Sequence, residues 1–174
     1  MAFICQISFA QVSNADLLAY YPFDTDANNH APGATQFNLS VFGNGSLYTA
    51  PLLQTTDKIK GAGSYQFFFN GRTLATDDFS SLPNKSLSVS YWMRLPNGPS
   101  SANPLRTGVE FYGSLFMRGY FNFGVSTTDG KFDVYNYDST TSSTGPWSHC
   151  VLVFDAETNY IKAYLNGQLV ASKA

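Results

Sequence analysis

Polar and apolar residues alternate with period two along much of this chain, most sharply over residues 86–95. Leu87, Val89, Tyr91, Met93 and Leu95 share one parity, and Ser86, Ser88, Ser90, Trp92 and Arg94 share the other. Successive side chains of a strand point to opposite faces, so the run predicts a half-buried strand with its apolar set inward. Residues 148–155 predict a second strand, with His149, Val151 and Val153 on one side and Cys150, Leu152 and Phe154 on the other. Residues 160–165 and 168–171 flank Asn166-Gly167. That dipeptide is a strong hairpin signal, because both central residues of a type I′ turn need positive φ.

Shorter runs extend the pattern. Residues 17–23 (LLAYYPF) read as the first strand, followed by a polar loop over 25–34. Over 36–42, Phe37, Leu39 and Val41 alternate with Gln36, Asn38 and Ser40, before a turn at 43–45. Strands are also expected over 64–70, 109–112 and 114–118, with a second hairpin of 119–126 and 131–137 around Asp129-Gly130. Breaker-rich loops span 96–104 and 139–146. No window shows helical periodicity, and no repeat or linker divides the chain. The prediction is all-β: a two-sheet antiparallel β-sandwich occupying residues 16–174.

Composition narrows the function classes. Aromatics make up 16% of the 174 residues and charged groups only 13%, a β-sandwich composition. The net charge is −2 and the ten Lys and Arg are scattered, which excludes a nucleic-acid footprint. No apolar run is long enough for a membrane span. The two cysteines, Cys5 and Cys150, form neither a disulfide framework nor a metal motif, and Cys150 reads as a small buried residue on its strand. Residues 1–15 (MAFICQISFAQVSNA) resemble the end of a secretory signal, with small residues placed as a cleavage site wants them but no preceding Lys or Arg. The chain is therefore read as extracellular.

Candidate chemistry is sparse. Glycoside hydrolysis usually needs two carboxylates flanking the bond, and the only two Glu, Glu110 and Glu157, lie in no paired motif. No nucleophile elbow, zinc-protease motif or phosphate loop occurs, so the chain reads as non-catalytic. His149 has no Cys or Ser–acid partner nearby in sequence and reads as a packed or hydrogen-bonded strand residue. Ligand binding is best argued on the second hairpin. With Asp129-Gly130 as a two-residue turn, Ser126 would face Asp133, Gly124 would face Tyr135 and Asn122 would face Tyr137. One face would then carry Asn122, Asp133, Tyr135 and Tyr137, a sugar-compatible set, although an ordinary solvent face carries such residues too. Asp24, Asp26 and Asn28 alternate in one loop and offer oxygens to Ca²⁺, but they are equally default turn residues and three oxygens are too few. Asn38, Asn44 and Asn84 head glycosylation sequons, each weak alone.

Three motifs then acquire meaning from their order: residues 18–24 (LAYYPFD) before an Asn-rich loop; residues 63–70 (GSYQFFFN) leading through Asp77-Asp78 to residues 87–93 (LSVSYWM); and residues 147–171, with Trp147-x-His149, an apolar strand, Asp155 and the Asn-Gly hairpin. In this order they resemble the laminin G-like jelly-roll domains of the concanavalin A-like lectin/glucanase superfamily. The resemblance implies a jelly roll that recognises a glycan or an extracellular protein, in a superfamily whose members often bind Ca²⁺. It also implies strands after the Asn166-Gly167 hairpin that residues 172–174 are too few to supply. An incomplete C-terminal sheet is therefore expected, with the hairpin near an unprotected edge. The alternative is a truncated or degenerate glycosidase-like domain with a structural role only.

Overall fold

Strand-forming alternation, rather than helix, governs the whole observed architecture. The structure, a computed structural model, describes residues 13, 16–33, 37–41, 51–66, 74–76, 86–94, 105–106, 114–118, 122–127, 130–135, 147–155 and 157–173. Among them are twelve strands and no α-helix. The chain divides into two compact units, Met1–Asp77 and Asp78–Ala174.

The first unit holds β1 (Ser40–Val41), β2 (Leu52–Gln54), β3 (Ser64–Gln66) and β4 (Leu74–Ala75), paired antiparallel as β1 with β4 and β2 with β3. The second holds β5 (Leu87–Met93), β6 (Leu105–Arg106), β7 (Ser114–Arg118), β8 (Asn122–Thr127), β9 (Gly130–Tyr135), β10 (Ser148–Asp155), β11 (Tyr160–Leu165) and β12 (Gln168–Lys173). These make two four-stranded antiparallel sheets, ordered β12-β11-β10-β5 and β6-β7-β8-β9, as a jelly-roll sandwich requires. The chain is all-β, as its alternation predicts.

The core of the second unit lies on one face of the β12-β11-β10-β5 sheet. Met93, Cys150, Leu152, Ile161 and Ala163 are buried there, with Leu87, Val89, Tyr91, Phe154 and Leu165 packed against them. These are the inward parities expected for β5 and β10. Leu152 sits at the centre, opposite Val89 on one side and Ala163 on the other. The β11–β12 hairpin turns at Asn166 and Gly167 with φ of 50° and 80°, the type I′ signature that the dipeptide predicts. Beyond it β12 carries a bulge. Tyr164 faces Leu169 but Ala163 faces Ala171, so Val170 is an extra residue. The bulge moves Ser172 opposite the outward Lys162 instead of the buried Ile161. Among the described residues β12 pairs only with β11 and stands last in the order of its sheet.

Two expectations in the first unit fail. Residues 17–23 form no ladder among the described residues, and the backbone groups of Leu18 and Tyr20 are taken by Asn29 and His30 instead. The Asn29 carboxamide accepts from Tyr20 N (2.8 Å) and Ala31 N (3.0 Å) and donates to Leu18 O (3.1 Å), while His30 N donates to Tyr20 O (2.8 Å). Over 37–41 only Ser40–Val41 is strand, and Phe37 lies in the left-handed region with φ 67°. Apolar alternation says which face is inward but cannot show that a partner strand exists. The expected strand over 109–112 lies outside the described residues, as does the proposed signal segment apart from Ser13.

The Asp24 side chain organises the end of the next loop. Its Oδ1 accepts from Ala62 N (2.5 Å) and Gly63 N (3.4 Å), tying residue 24 to a segment almost forty positions later. Two glycines permit this. Gly61 has φ 73°, and a Cβ there would overlap the Asp24 carboxylate. A Cβ on Gly63 would stand 2.8 Å from the carbonyl oxygens of both Phe23 and Asp24.

Candidate ligand-binding face

The outer face of the β12-β11-β10-β5 sheet is set by its register. His149 lies opposite Trp92 and Val151 opposite Ser90. Val151 in turn faces Tyr164, and Tyr164 faces Leu169. These residues have the parity opposite to the buried set, so the sheet presents Trp92, His149, Ser90, Val151, Tyr164 and Leu169 away from its core. Trp92 is 46% exposed and Leu169 is 54% exposed.

Trp92 and His149 stack, with ring centroids 4.9 Å apart and planes 25° apart. The imidazole is fixed from below by a 2.8 Å hydrogen bond between Nε2 and Ser90 Oγ. The backbone of His149 is fixed by the hairpin turn. Asn166 N donates to His149 O (2.8 Å), and His149 N donates to Asn166 Oδ1 (2.9 Å). The Asn-Gly turn therefore shapes the hairpin and also locks the strand end carrying the stacked ring. His149 is the hydrogen-bonded strand residue that its sequence context predicts. The sequence reading missed Trp92 as its partner. The signal available was that Ser90, Trp92 and His149 all have outward parity, but only the β5–β10 register brings them together.

On the inner face of the same strands, burial pushes the Cys150 thiol up to about 12, and the hydrogen-bonded Tyr91 hydroxyl pulls the other way. Burial also raises the Tyr91 hydroxyl. A thiol raised this far is a poor nucleophile, because the thiolate is the reactive form. Mass-spectrometric mapping of thiol labelling at pH 8 should find Cys150 modified at least about tenfold faster in denaturant than in the native protein. The sign for stability follows. The folded state disfavours the thiolate, so this contribution is full below pH 9 and is lost as pH climbs toward 12.

The second hairpin departs from its expected register. Thr127 pairs with Gly130, where the expected turn would have placed Gly130 between the strands, and Ser126 then faces Lys131. Gly124 faces Asp133, and a shift between Phe123 and Gly124 brings Tyr135 opposite Phe123. Asn122 faces Arg118 of β7. Tyr135 thus takes the register position of Phe123, not that of Gly124, and the predicted pairing of Asn122 with Tyr137 falls beyond β9, which ends at Tyr135. The cause is that Gly130 opens the strand instead of closing the turn. The four-residue cluster of Asn122, Asp133, Tyr135 and Tyr137 does not follow from this pairing, and Tyr137 lies outside the described residues.

The loop after residue 23 directs its carboxylates to different partners. Asp24 Oδ1 is taken by the amides of Ala62 and Gly63. Asp26 Oδ1 accepts from Asn28 N (2.9 Å) and lies 3.0 Å from His30 Nε2, and chiefly the His30 bond holds this carboxyl below its ordinary value. No group of three or more His, Cys, Asp or Glu able to hold a metal occurs among the described residues. Asp24 Oδ1 and Asp26 Oδ1 thus accept loop hydrogen bonds, and Asp24, Asp26 and Asn28 by themselves supply fewer than the six to eight oxygens that Ca²⁺ usually takes. Asp155 is engaged in the same way, accepting from Glu157 N (3.1 Å), Thr158 N (3.3 Å) and Thr158 Oγ1 (2.6 Å). Among the sequons, Asn38 is exposed, with its Oδ1 accepting from Asn29 N (2.9 Å), while Asn44 and Asn84 lie outside the described residues.

A family model for laminin G-type domains of the concanavalin A-like lectin/glucanases superfamily matches residues 68–174, more than half of the chain. The chain belongs to this superfamily. The laminin G-type match covers the whole β12-β11-β10-β5 sheet, and it begins after the first motif and partway through the second. Laminin G-like domains bind glycans or proteins and are typically extracellular. No curated protein and no solved structure matches the chain. No helix among the described residues is long and apolar enough to cross a membrane.

Proposed function

We propose that this laminin G-like domain is a secreted, non-catalytic recognition module that binds carbohydrate. The laminin G-type match over residues 68–174 carries this reading. It is supported by an outward sheet face on which aromatic rings and polar side chains are interleaved, the mixture that saccharide recognition uses. The non-catalytic part rests on the chain's acids. Of its two Glu, the described one, Glu157, lies in the turn after Asp155, whose oxygens are engaged within that turn. Secretion rests on the signal-like residues 1–15 and on the habit of the family.

The test is a glycan array probed with the folded full chain, alongside a screen for hydrolysis of the bound glycans. Binding without hydrolysis is the expected result. An extracellular protein ligand becomes the better reading if the folded chain binds no glycan, and hydrolysis of any bound glycan would refute the non-catalytic assignment.

A further inference from the structure

We infer that Trp92, His149 and Ser90 form a saccharide platform on which one uncharged pyranose ring stacks against the indole. The inference rests on the carbohydrate reading above and gives it a place and a ligand class.

The first argument is preorganisation. His149 leans on Trp92 at 4.9 Å and is itself held by Ser90 and by both backbone bonds to Asn166. Among the described residues no second ring stacks on Trp92, so the indole keeps a face for a ligand while 46% exposed. A ring held in one orientation loses little freedom when a flat partner settles on it.

The second argument is the chemistry beside the ring. An indole face is the negative side of a quadrupole, and it attracts the C–H groups on the apolar face of a pyranose. The edges of that sugar carry hydroxyls that need hydrogen-bond partners. Ser90 Oγ and the Asn166 carboxamide are held against His149, and with the imidazole nitrogens they offer hydrogen-bonding groups beside the indole.

The third argument is charge. Trp92, His149, Ser90 and Asn166 include no carboxylate and no ammonium group. Arg94, two positions along from Trp92, already has an interaction of its own. An anionic sugar would be desolvated here without a dedicated cation, whereas a neutral polyol gives up only hydrogen bonds that the cluster can return. This electrostatic match selects an uncharged saccharide over an acidic one.

The experiment uses the folded full chain against an array of neutral gluco-, galacto- and manno-oligosaccharides, with acidic glycans on the same array. Calorimetry on the best neutral binder then compares wild type with Trp92→Ala, Trp92→Phe and Ser90→Ala. Trp92→Ala should weaken binding by at least about tenfold, and Trp92→Phe should restore part of it, since a central aromatic anchor carries much of such an interface. Ligand should also shift the tryptophan emission of wild type but not of Trp92→Phe, a change that a merely structural role would not produce. Trp92→Ala gives up the stack on His149 and should unfold at a lower denaturant midpoint than wild type, so binding is compared under conditions where circular dichroism shows every variant folded. Neutral-glycan binding unaffected by Trp92→Ala would overturn this site and leave the carbohydrate reading standing. Binding confined to acidic glycans would also overturn the site. Absence of any glycan binding by the folded wild type would overturn both.

Discussion

Replacing Leu152 with alanine will destabilise the second unit by about 3 kcal/mol, because it removes buried methyl groups and leaves a cavity that strand backbones cannot fill. Leu152 is 1% exposed and lies between Val89 and Ala163 in a sheet paired on both sides of β10. Neither neighbour can reach into the space. Ala163 has no side chain beyond Cβ, and Val89 is stiff at χ1. Urea denaturation followed by tryptophan emission reads this strand region, since Trp92 and Trp147 both lie on or beside it. The midpoint should fall with an unchanged slope. Val153→Ala, on the outward parity of the same strand, should cost about 1 kcal/mol. Equal losses for the two variants would mean that the two faces of β10 do not differ as described.

Gly63→Ala should be comparably damaging to the first unit, at about 3 kcal/mol. The added Cβ would meet two backbone oxygens, those of Phe23 and Asp24, at 2.8 Å. Backbone cannot swing aside as a long side chain can, so the loop must shift. The shift would break the bonds from Ala62 N and Gly63 N to Asp24. Trypsin can report the outcome. Lys58 and Lys60 lie in the exposed segment that these bonds anchor, and Lys58 Nζ itself donates to Ala62 O (3.0 Å). Cleavage after these lysines should accelerate by up to about a hundredfold, since each 1.4 kcal/mol is tenfold in the open population. An unchanged rate would show that the Asp24 contact does not govern this loop. Asp24→Asn, which keeps one acceptor oxygen, should accelerate cleavage much less.

What the sequence revealed depended on whether local chemistry alone decides the outcome. The strands β5, β10, β11 and β12 were legible because their alternation is long and because Asn166-Gly167 admits essentially one tight turn. The second hairpin was legible as a hairpin but not in its register. Thr128, Asp129 and Gly130 are all acceptable turn residues, and moving the turn by one position rewrites every cross-strand pair. Residues 17–23 looked like a strand, yet Asn29 takes the backbone groups of Leu18 and Tyr20 from nine to eleven positions away, a tertiary choice with no periodic trace. The Trp92–His149 stack was half visible. Parity put each ring outward, but their meeting depends on how strands 59 residues apart are aligned.

The bulge at Val170 bears on more than the placement of Ser172. An edge strand with a regular row of free amides and carbonyls is a template on which another chain can grow a sheet. The extra residue interrupts that row and increases the local twist of β12, and the strand ends at the charged Lys173. One inserted backbone unit thus keeps the polar side chains outward and also spoils the flat edge that fibril-like stacking needs. Removing Val170 would straighten this row, so the residue that sets the register of β12 also shapes the edge it offers to other chains.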